Sequence, residues 1–164
     1  MKDRTRFGGI FVAEGYDKYG NHKWSDTFHN IVTSTGIKHI LSVAFAAGTQ
    51  NTTWYMGLLA STAVTSTKTM ATISQATECS NATRPAFVET LSTLSLTNSA
   101  AKSTFTINKD ATTVEGAFLA SSNDMNGTGG ILMCAAPFTG GTKVGDSGDK
   151  IIVTYTFSGA DDGA

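Results

Sequence analysis

The sequence predicts an all-β domain, a sandwich or a barrel, with one amphipathic helix. Three observations lead to this fold class. The composition holds 26 Thr, 15 Ser and 17 Gly but only 2 Pro, which favours strands and turns. About eight to ten short apolar or alternating runs are separated by turn residues. A helical stripe occurs once, and 164 residues suffice for one domain with a real core.

Residues 1–23 are predicted to form an N-terminal arm and the first strand. The run RFGGIFVAE at residues 6–14 is rich in strand-forming residues. Residues 16–22 supply a turn, with Gly20 and Asn21 at its tip. Residues 24–32 resume a half-apolar pattern, so one hairpin is the simplest arrangement.

The helix is predicted over residues 35–47. Apolar side chains recur there at helical spacing, at Ile37, Ile40, Leu41, Ala44 and Phe45. Thr33, Ser34 or Thr35 can cap its start, and Gly48 can end it. We expect the helix to bury this stripe against a sheet and to close one end of the sandwich.

Residues 54–59 (WYMGLL) predict a central, strongly apolar strand. Residues 60–82 are rich in Ser, Thr and Ala with few large apolar side chains. They predict a long surface excursion with at most one helical turn near Met70. Because long loops in compact domains tend to be functional or mobile, this stretch is a candidate contact region.

The second half of the chain predicts six further strands, at residues 87–90, 91–97, 102–108, 113–121, 130–138 and 150–158. In the last of these, Val153, Tyr155 and Phe157 alternate with threonines, which indicates a sheet with one buried face. The sandwich domain is therefore assigned to residues 24–158. The small, acidic tail at residues 159–164 is predicted to be flexible.

Charge and cysteine content limit the partners. The formal net charge is −1 with 15% charged residues, which argues against nucleic acid or an anionic membrane recognised by charge. The sequence has no apolar run near the roughly 20 residues that span a bilayer, and residues 1–10 lack the apolar stretch of a signal peptide. Cys79 and Cys134 could form one disulfide or remain two buried thiols.

Candidate catalytic and metal-binding patterns are weak. Residues 145–148 (GDSG) match the tetrapeptide around the nucleophile of trypsin-like proteases, but Asp149 replaces the glycine that follows it there. None of His22, His29 and His39 has the Ala-Ala-His-Cys setting of those enzymes. Turn chemistry therefore predicts a tight turn around Ser147.

Metal and cofactor motifs are equally sparse. Neither Cys-x-x-Cys nor His-Glu-x-x-His occurs in the sequence. The acidic residues at 124–127, and Asp146 with Asp149, are too few for a calcium cage. We expect no catalytic residue, no cofactor and no metal site.

Lys2, Arg4 and Arg6 make the N-terminus mildly basic. Such an arm is either a solvated end or a segment that docks on an acidic neighbour, so these three residues are the candidate partner-binding residues. Trp24 is a candidate for an exposed aromatic platform if the domain binds carbohydrate. Trp54 lies in the apolar strand and is expected to be buried.

Six segments, read in order, resemble a family of small structural proteins in the virions of tailed bacteriophages. These are residues 29–36 (HNIVTSTG), 43–45 (VAF), 53–59 (TWYMGLL), 82–87 (ATRPAF), 113–119 (TVEGAFL) and 153–157 (VTYTF). The third is similar to the family's Trp-Tyr-Val-Gly-Leu-Ile, and the fourth to its Ala-Thr-Arg-x-x-Trp. The resemblance keeps its order over roughly residues 24–158.

The resemblance implies a β-sandwich of jelly-roll type, often paired as dimers. It implies a non-enzymatic cement or decoration protein on the capsid surface of the virion, with the major capsid protein as its partner. Alternative interpretations are a tail, neck or head-fibre component, a carbohydrate-binding module, and an enzyme that uses Ser147. Fold alone does not decide among them.

Overall fold

The computed structural model describes the backbone of residues 5–161 and the side chains of residues 7–159. Within that part of the chain, the elements in order are β1 (Thr5–Tyr16), β2 (His22–His29), β3 (Ile31–Val32), α1 (Ser34–Phe45), β4 (Trp54–Leu59), β5 (Gln75–Ala76), β6 (Ala86–Phe87), β7 (Thr90–Leu91), β8 (Ser95–Thr97), β9 (Ser103–Thr106), β10 (Thr112–Val114), β11 (Gly116–Ala120), β12 (Leu132–Pro137), β13 (Lys143–Gly145) and β14 (Lys150–Asp161).

The strands form two main antiparallel sheets. Sheet I has the order β2-β1-β14-β8-β7, with β9 also paired to β14. Sheet II has the order β3-β12-β11-β4-β5, with β6 also paired to β4, and a two-stranded ribbon joins β10 to β13. Side chains of both sheets share one buried cluster, including Phe11 and Tyr155 from sheet I and Met56 and Leu119 from sheet II. The predicted all-β sandwich with one helix is confirmed.

β1 and β14 pair along their whole length, from Thr5 opposite Asp161 to Tyr16 opposite Lys150. Residues 159–161, the start of the tail predicted to be flexible, extend β14 and pair with residues 5–7 of β1. Residues 162–164 lie outside the described part. Gly9 permits the pairing at its tightest point. A Cβ there would lie 2.6 Å from the Tyr155 hydroxyl oxygen.

Sheet II is buried on both faces. Its inner face joins the shared core, and its outer face carries Leu59, Phe118, Ala120, Leu132 and Ala135, all buried. Met70 and Ile73 of the 60–82 segment pack on this outer face and are buried as well. The predicted surface excursion is wrong for these two side chains, since a sheet this apolar needs a cover.

Arg84 ties this cover to the rest of the molecule and is itself buried. Its Nη1 donates to the Ser122 carbonyl oxygen at 2.6 Å, and Nη2 donates to the Gly127 carbonyl oxygen at 3.1 Å and to the side chain of Gln75. The guanidinium carbon lies 5.3 Å from the centre of the Phe118 ring. Burial lowers the pKa of Arg84, but its fork of donors is well matched to several oxygens.

Two predicted strands are each divided in the structure. Residues 91–97 form β7, a tight turn and β8, because the Ser92 amide donates to the Ser95 carbonyl oxygen at 2.8 Å. Residues 113–121 divide at Glu115, where β10 pairs with β13 and β11 pairs with β12 and β4. β13 was not predicted, because only three residues separate its flanking turns.

A small polar cluster joins the two sheets inside the core. The Cys134 thiol donates to the Tyr155 hydroxyl at 3.1 Å, and the Asn30 amide donates to the same oxygen at 2.8 Å. Cys79 and Cys134 are both free and buried, so they form no disulfide. Burial raises the pKa of the Cys134 thiol to about 11, and it also raises the pKa of Cys79.

The carbonyl contacts of Arg84 predict that Arg84→Lys destabilises the fold. One ammonium cannot replace a planar fork that bonds Ser122, Gly127 and Gln75, so the free energy of unfolding should fall by about 2–4 kcal/mol. Urea unfolding measures the change. The exposed Lys38→Arg serves as the control and should change stability by less than about 0.5 kcal/mol. A change that small for Arg84→Lys would contradict its anchoring role.

The buried Cys134 thiol predicts a loss of stability at alkaline pH. Its pKa is raised from 9.0 to about 11, so the folded state holds a proton that the unfolded state has released. The contribution of Cys134 to the free energy of unfolding is therefore constant below pH 9. It falls by about 1.4 kcal/mol per pH unit between pH 9 and about pH 11. Denaturant unfolding at successive pH values should show a shallower decline for Cys134→Ala. Equal slopes for the variant and the wild type would refute this assignment.

Candidate contact surface at helix α1

Helix α1 begins against β12 in sheet II. The Thr33 hydroxyl oxygen accepts from the Gly36 amide at 3.0 Å and caps the helix, while Thr33 and Thr35 both donate to the Leu132 carbonyl oxygen. Gly36 passes directly over the strand. A Cβ there would lie 2.3 Å from the Met133 carbonyl oxygen, so a larger residue would displace the helix.

The outer side of α1 carries an exposed apolar row, Ile37, Leu41 and Phe45, which lie one turn apart. Their exposed fractions are 41%, 50% and 85%. The prediction that the whole apolar stripe is buried is therefore wrong for these three residues. The reason is that α1 is apolar on two sides, and Ile40 and Val43 on the other side face the sandwich.

The helix ends slightly earlier than predicted. Its last residue is Phe45, and Ala47 takes the left-handed conformation with φ of 54°. The Gly48 amide, like that of Ala46, donates to the Ser42 carbonyl oxygen at 2.9 Å. The chain turns there, which leaves Phe45 as the last and most exposed residue of the row.

A cavity of about 310 Å³ lies between α1 and the end of the sandwich. Its walls are almost wholly apolar and are contributed by both sheets and the helix: Ile40, Val43, Ala44, Trp54, Phe87, Leu96, Leu119, Met133 and Phe157. Ala44 and Gln50 are exposed, which places the mouth beside the second half of the helix. α1 thus covers this end of the sandwich without filling it.

Besides the indole of Trp54, the polar side chains of the cavity wall are those of His39, Gln50 and Asn51. The Asn51 amide nitrogen lies 3.3 Å from His39 Nε2, and the His39 ring meets the Trp54 ring edge-on at 5.5 Å. The described wall contains no Asp, Glu, Lys or Arg. It can therefore form hydrogen bonds at one place and apolar contacts everywhere else.

Sequence reasoning did not find this cavity. Ile40 was assigned to the same buried stripe as Leu41, and Trp54, Phe87 and Phe157 were interpreted as ordinary strand residues. Val43 could have indicated the cavity. When Val43 is counted, apolar residues extend around most of the circumference of the helix, more than a helix packed on one side requires.

The predicted partner-binding residues cannot be placed on this surface. Lys2 and Arg4 lie outside the described residues. The backbone of Arg6 is part of β1, opposite Ala160, and its side chain is not described.

Ser147 lies in the turn between β13 and β14, as predicted. Its amide donates to an Asp110 carboxylate oxygen at 2.9 Å. Asp149, two residues further on, forms an ion pair with Lys23 at 2.7 Å. Burial raises the pKa of Asp149, but this ion pair and backbone hydrogen bonds together hold it below its usual value. His22, one of the three histidines considered for a catalytic role, lies 2.7 Å from the Ser25 hydroxyl.

The acidic turns are occupied by local contacts. Asp124 accepts from the Asn126 amide at 3.1 Å, as expected for a turn. Among the described side chains, those of residues 7–159, no group of three His, Cys, Asp or Glu is arranged to hold a metal ion. In the same part of the chain, no helix has the length and apolar character needed to cross a membrane.

Trp24 does not form the exposed platform that a carbohydrate-binding interpretation requires. It is half-buried and packs edge-on against Phe138, with ring centres 5.5 Å apart. The Lys143 ammonium lies 5.4 Å from the centre of the Trp24 ring. The ring is therefore a part of the core margin.

Comparison with protein-family models, with curated proteins and with solved structures gave no match.

Replacement by serine is expected to affect stability differently on the two sides of α1. Leu41→Ser on the exposed row should lower the free energy of unfolding by less than about 1 kcal/mol. Ile40→Ser should lower it by about 2–4 kcal/mol, because Ile40 packs against the core cluster. Thermal and urea unfolding of both variants measure the difference. Equal losses would mean that Leu41 is covered in solution.

Proposed function

We propose that this chain is a structural protein of a tailed-bacteriophage virion, which binds the capsid shell and stabilises it. The observation that carries the proposal is the exposed apolar row on α1, formed by Ile37, Leu41 and Phe45. Apolar side chains aligned on one exposed face are typical of surfaces that contact another protein. The row is the proposed contact surface with the major capsid protein.

The surroundings of the row suit a contact that depends on shape more than on charge. Ser34, Lys38, Ser42 and Ala46 flank the row, and only Lys38 among them is charged. With a net charge of −1, long-range attraction contributes little to finding the partner. Apolar burial at the centre, rimmed by hydroxyl groups, fits the usual anatomy of a protein interface.

The sequence resemblance supports the same proposal. Two of its segments have a clear structural purpose: residues 29–36 include Thr33 and Gly36, which seat α1, and residues 82–87 include Arg84, which anchors the cover of sheet II. The resembling segments therefore include the residues that position the proposed contact surface.

Such a protein would act by mass action. Binding only to the assembled shell stabilises it by the free energy of binding. Many copies on a symmetric lattice let modest individual contacts add up through multivalency. A second copy of this chain is the other candidate for covering the row, and the resemblance favours dimers.

The proposal predicts that Leu41→Asp weakens attachment to purified particles. A carboxylate in an apolar contact loses its hydration without compensation, so bound protein should fall at least tenfold. Quantitative mass spectrometry of sedimented particles gives the copy number relative to the major shell protein. For the wild type, a ratio near one or a simple lattice fraction is expected; a dozen copies or fewer would indicate a tail, neck or head-fibre component.

Tyr19→Asp is the matched control for this experiment. Tyr19 is 80% exposed, comparable to Phe45, but it lies in the β1–β2 turn at the opposite end of sheet I. It should bind like the wild type.

A Lys2→Ser, Arg4→Ser double variant tests the basic arm separately. Sedimentation equilibrium of Leu41→Asp completes the design, since a loss of dimers with unchanged particle binding would assign the row to self-association and overturn the proposal.

A further inference from the structure

The cavity beneath α1 is independent of the exposed row and lies on the other side of the helix. At about 310 Å³ it reaches the size at which small-molecule sites begin, about 300 Å³. It is about twice the volume of an engineered apolar cavity of about 150 Å³ that stays dry and takes up benzene. It can therefore accommodate a molecule larger than one ring.

The walls define the apolar part of such a molecule. Trp54, Phe87 and Phe157 present aromatic surface, and Ile40 and Val43 close the helix side. These rings and branched side chains would contribute to ligand binding through apolar burial and dispersion, which do not require a precise orientation of the ligand. An apolar tail in the cavity would supply the packing contacts that these side chains lack while the space is unfilled.

The polar residues define the head group. Asn51 shares its amide with His39 at 3.3 Å and keeps a carbonyl oxygen, and Gln50 stands at the mouth. No Lys or Arg is present in the described wall, and His39, the one titratable side chain there, already contacts Asn51 and the Trp54 ring. A carboxylate head would therefore lose hydration without a fixed counter-charge. A hydroxyl or an amide could instead exchange its hydrogen bonds with water for bonds to Asn51 or Gln50.

We propose that this cavity is a binding site for a neutral amphiphile, with its apolar tail between α1 and the two sheets and a hydroxyl or amide head at Gln50 and Asn51. The proposal does not depend on the capsid function, because it concerns a small molecule and no partner protein.

The test is a titration of the full-length chain with 1-octanol. The chain has two tryptophans, Trp24 and Trp54, and only Trp54 lines the cavity. In a Trp24→Phe variant, the emission of Trp54 should therefore change saturably as octanol is added. Calorimetry of the wild type gives a second reading. Octanoate, with the same tail length and a charged head, should bind at least tenfold more weakly at pH 7.

Two substitutions on opposite sides of the helix control for general effects. Val43→Phe fills the cavity and should weaken octanol binding at least tenfold, whereas Leu41→Phe adds the same ring outside and should change it less than twofold. If Val43→Phe melts far below the wild type, Ala44→Phe at the mouth replaces it. No saturable signal, or binding that is unchanged by both cavity variants, would overturn the site; equal binding of octanoate would overturn the neutral head.

Discussion

The pairing of β1 with β14 is the constraint on which the other parts of the structure depend. These strands come from opposite ends of the described chain, yet twelve residues of each are in register. Their shared inner face presents Phe11 and Tyr155, whose rings stack with centres 4.1 Å apart in the middle of the core. Since β2, β8 and β9 all attach to this pair, sheet I forms only when the two ends meet. Such a distant pairing carries a large loop-closure cost and is typical of slowly folding β proteins.

Sheet II imposes the second requirement, because it is apolar on both faces. One face is satisfied by sheet I. The other depends on the 60–82 segment, which Arg84 holds through the Gln75 side chain while it also bonds the carbonyl oxygens of Ser122 and Gly127. At its remaining exposed end the sandwich depends on α1, which is seated firmly at Thr33 and Gly36 but covers a cavity further along. The proposed contact row and the proposed ligand site are thus the two sides of a single helix.

Much of the framework could be predicted because its signals are local. The apolar run of β4, the alternation in β14 and the single helix all follow from the periodicity of a few neighbouring residues. What failed depends on distant partners. Met70 and Ile73 are buried only because sheet II lies beneath them, and β14 runs past the predicted residue 158 only because residues 5–7 of β1 lie opposite. The candidate site was missed for the same reason, since Trp54, Phe87 and Phe157 meet Val43 only after both sheets are assembled.

The register of β1 and β14 also fixes the exits of the chain. Thr5 and Asp161 are direct neighbours, and Gly9, opposite Phe157, is only four residues further along β1. Phe157 lines the cavity, so both exits lie toward the end of the sandwich that α1 covers. A polypeptide joined before residue 5 and another joined after residue 161 would therefore leave from one corner. The β1–β2 turn at Tyr19, by contrast, lies at the other end of the paired strands, where Tyr16 is opposite Lys150.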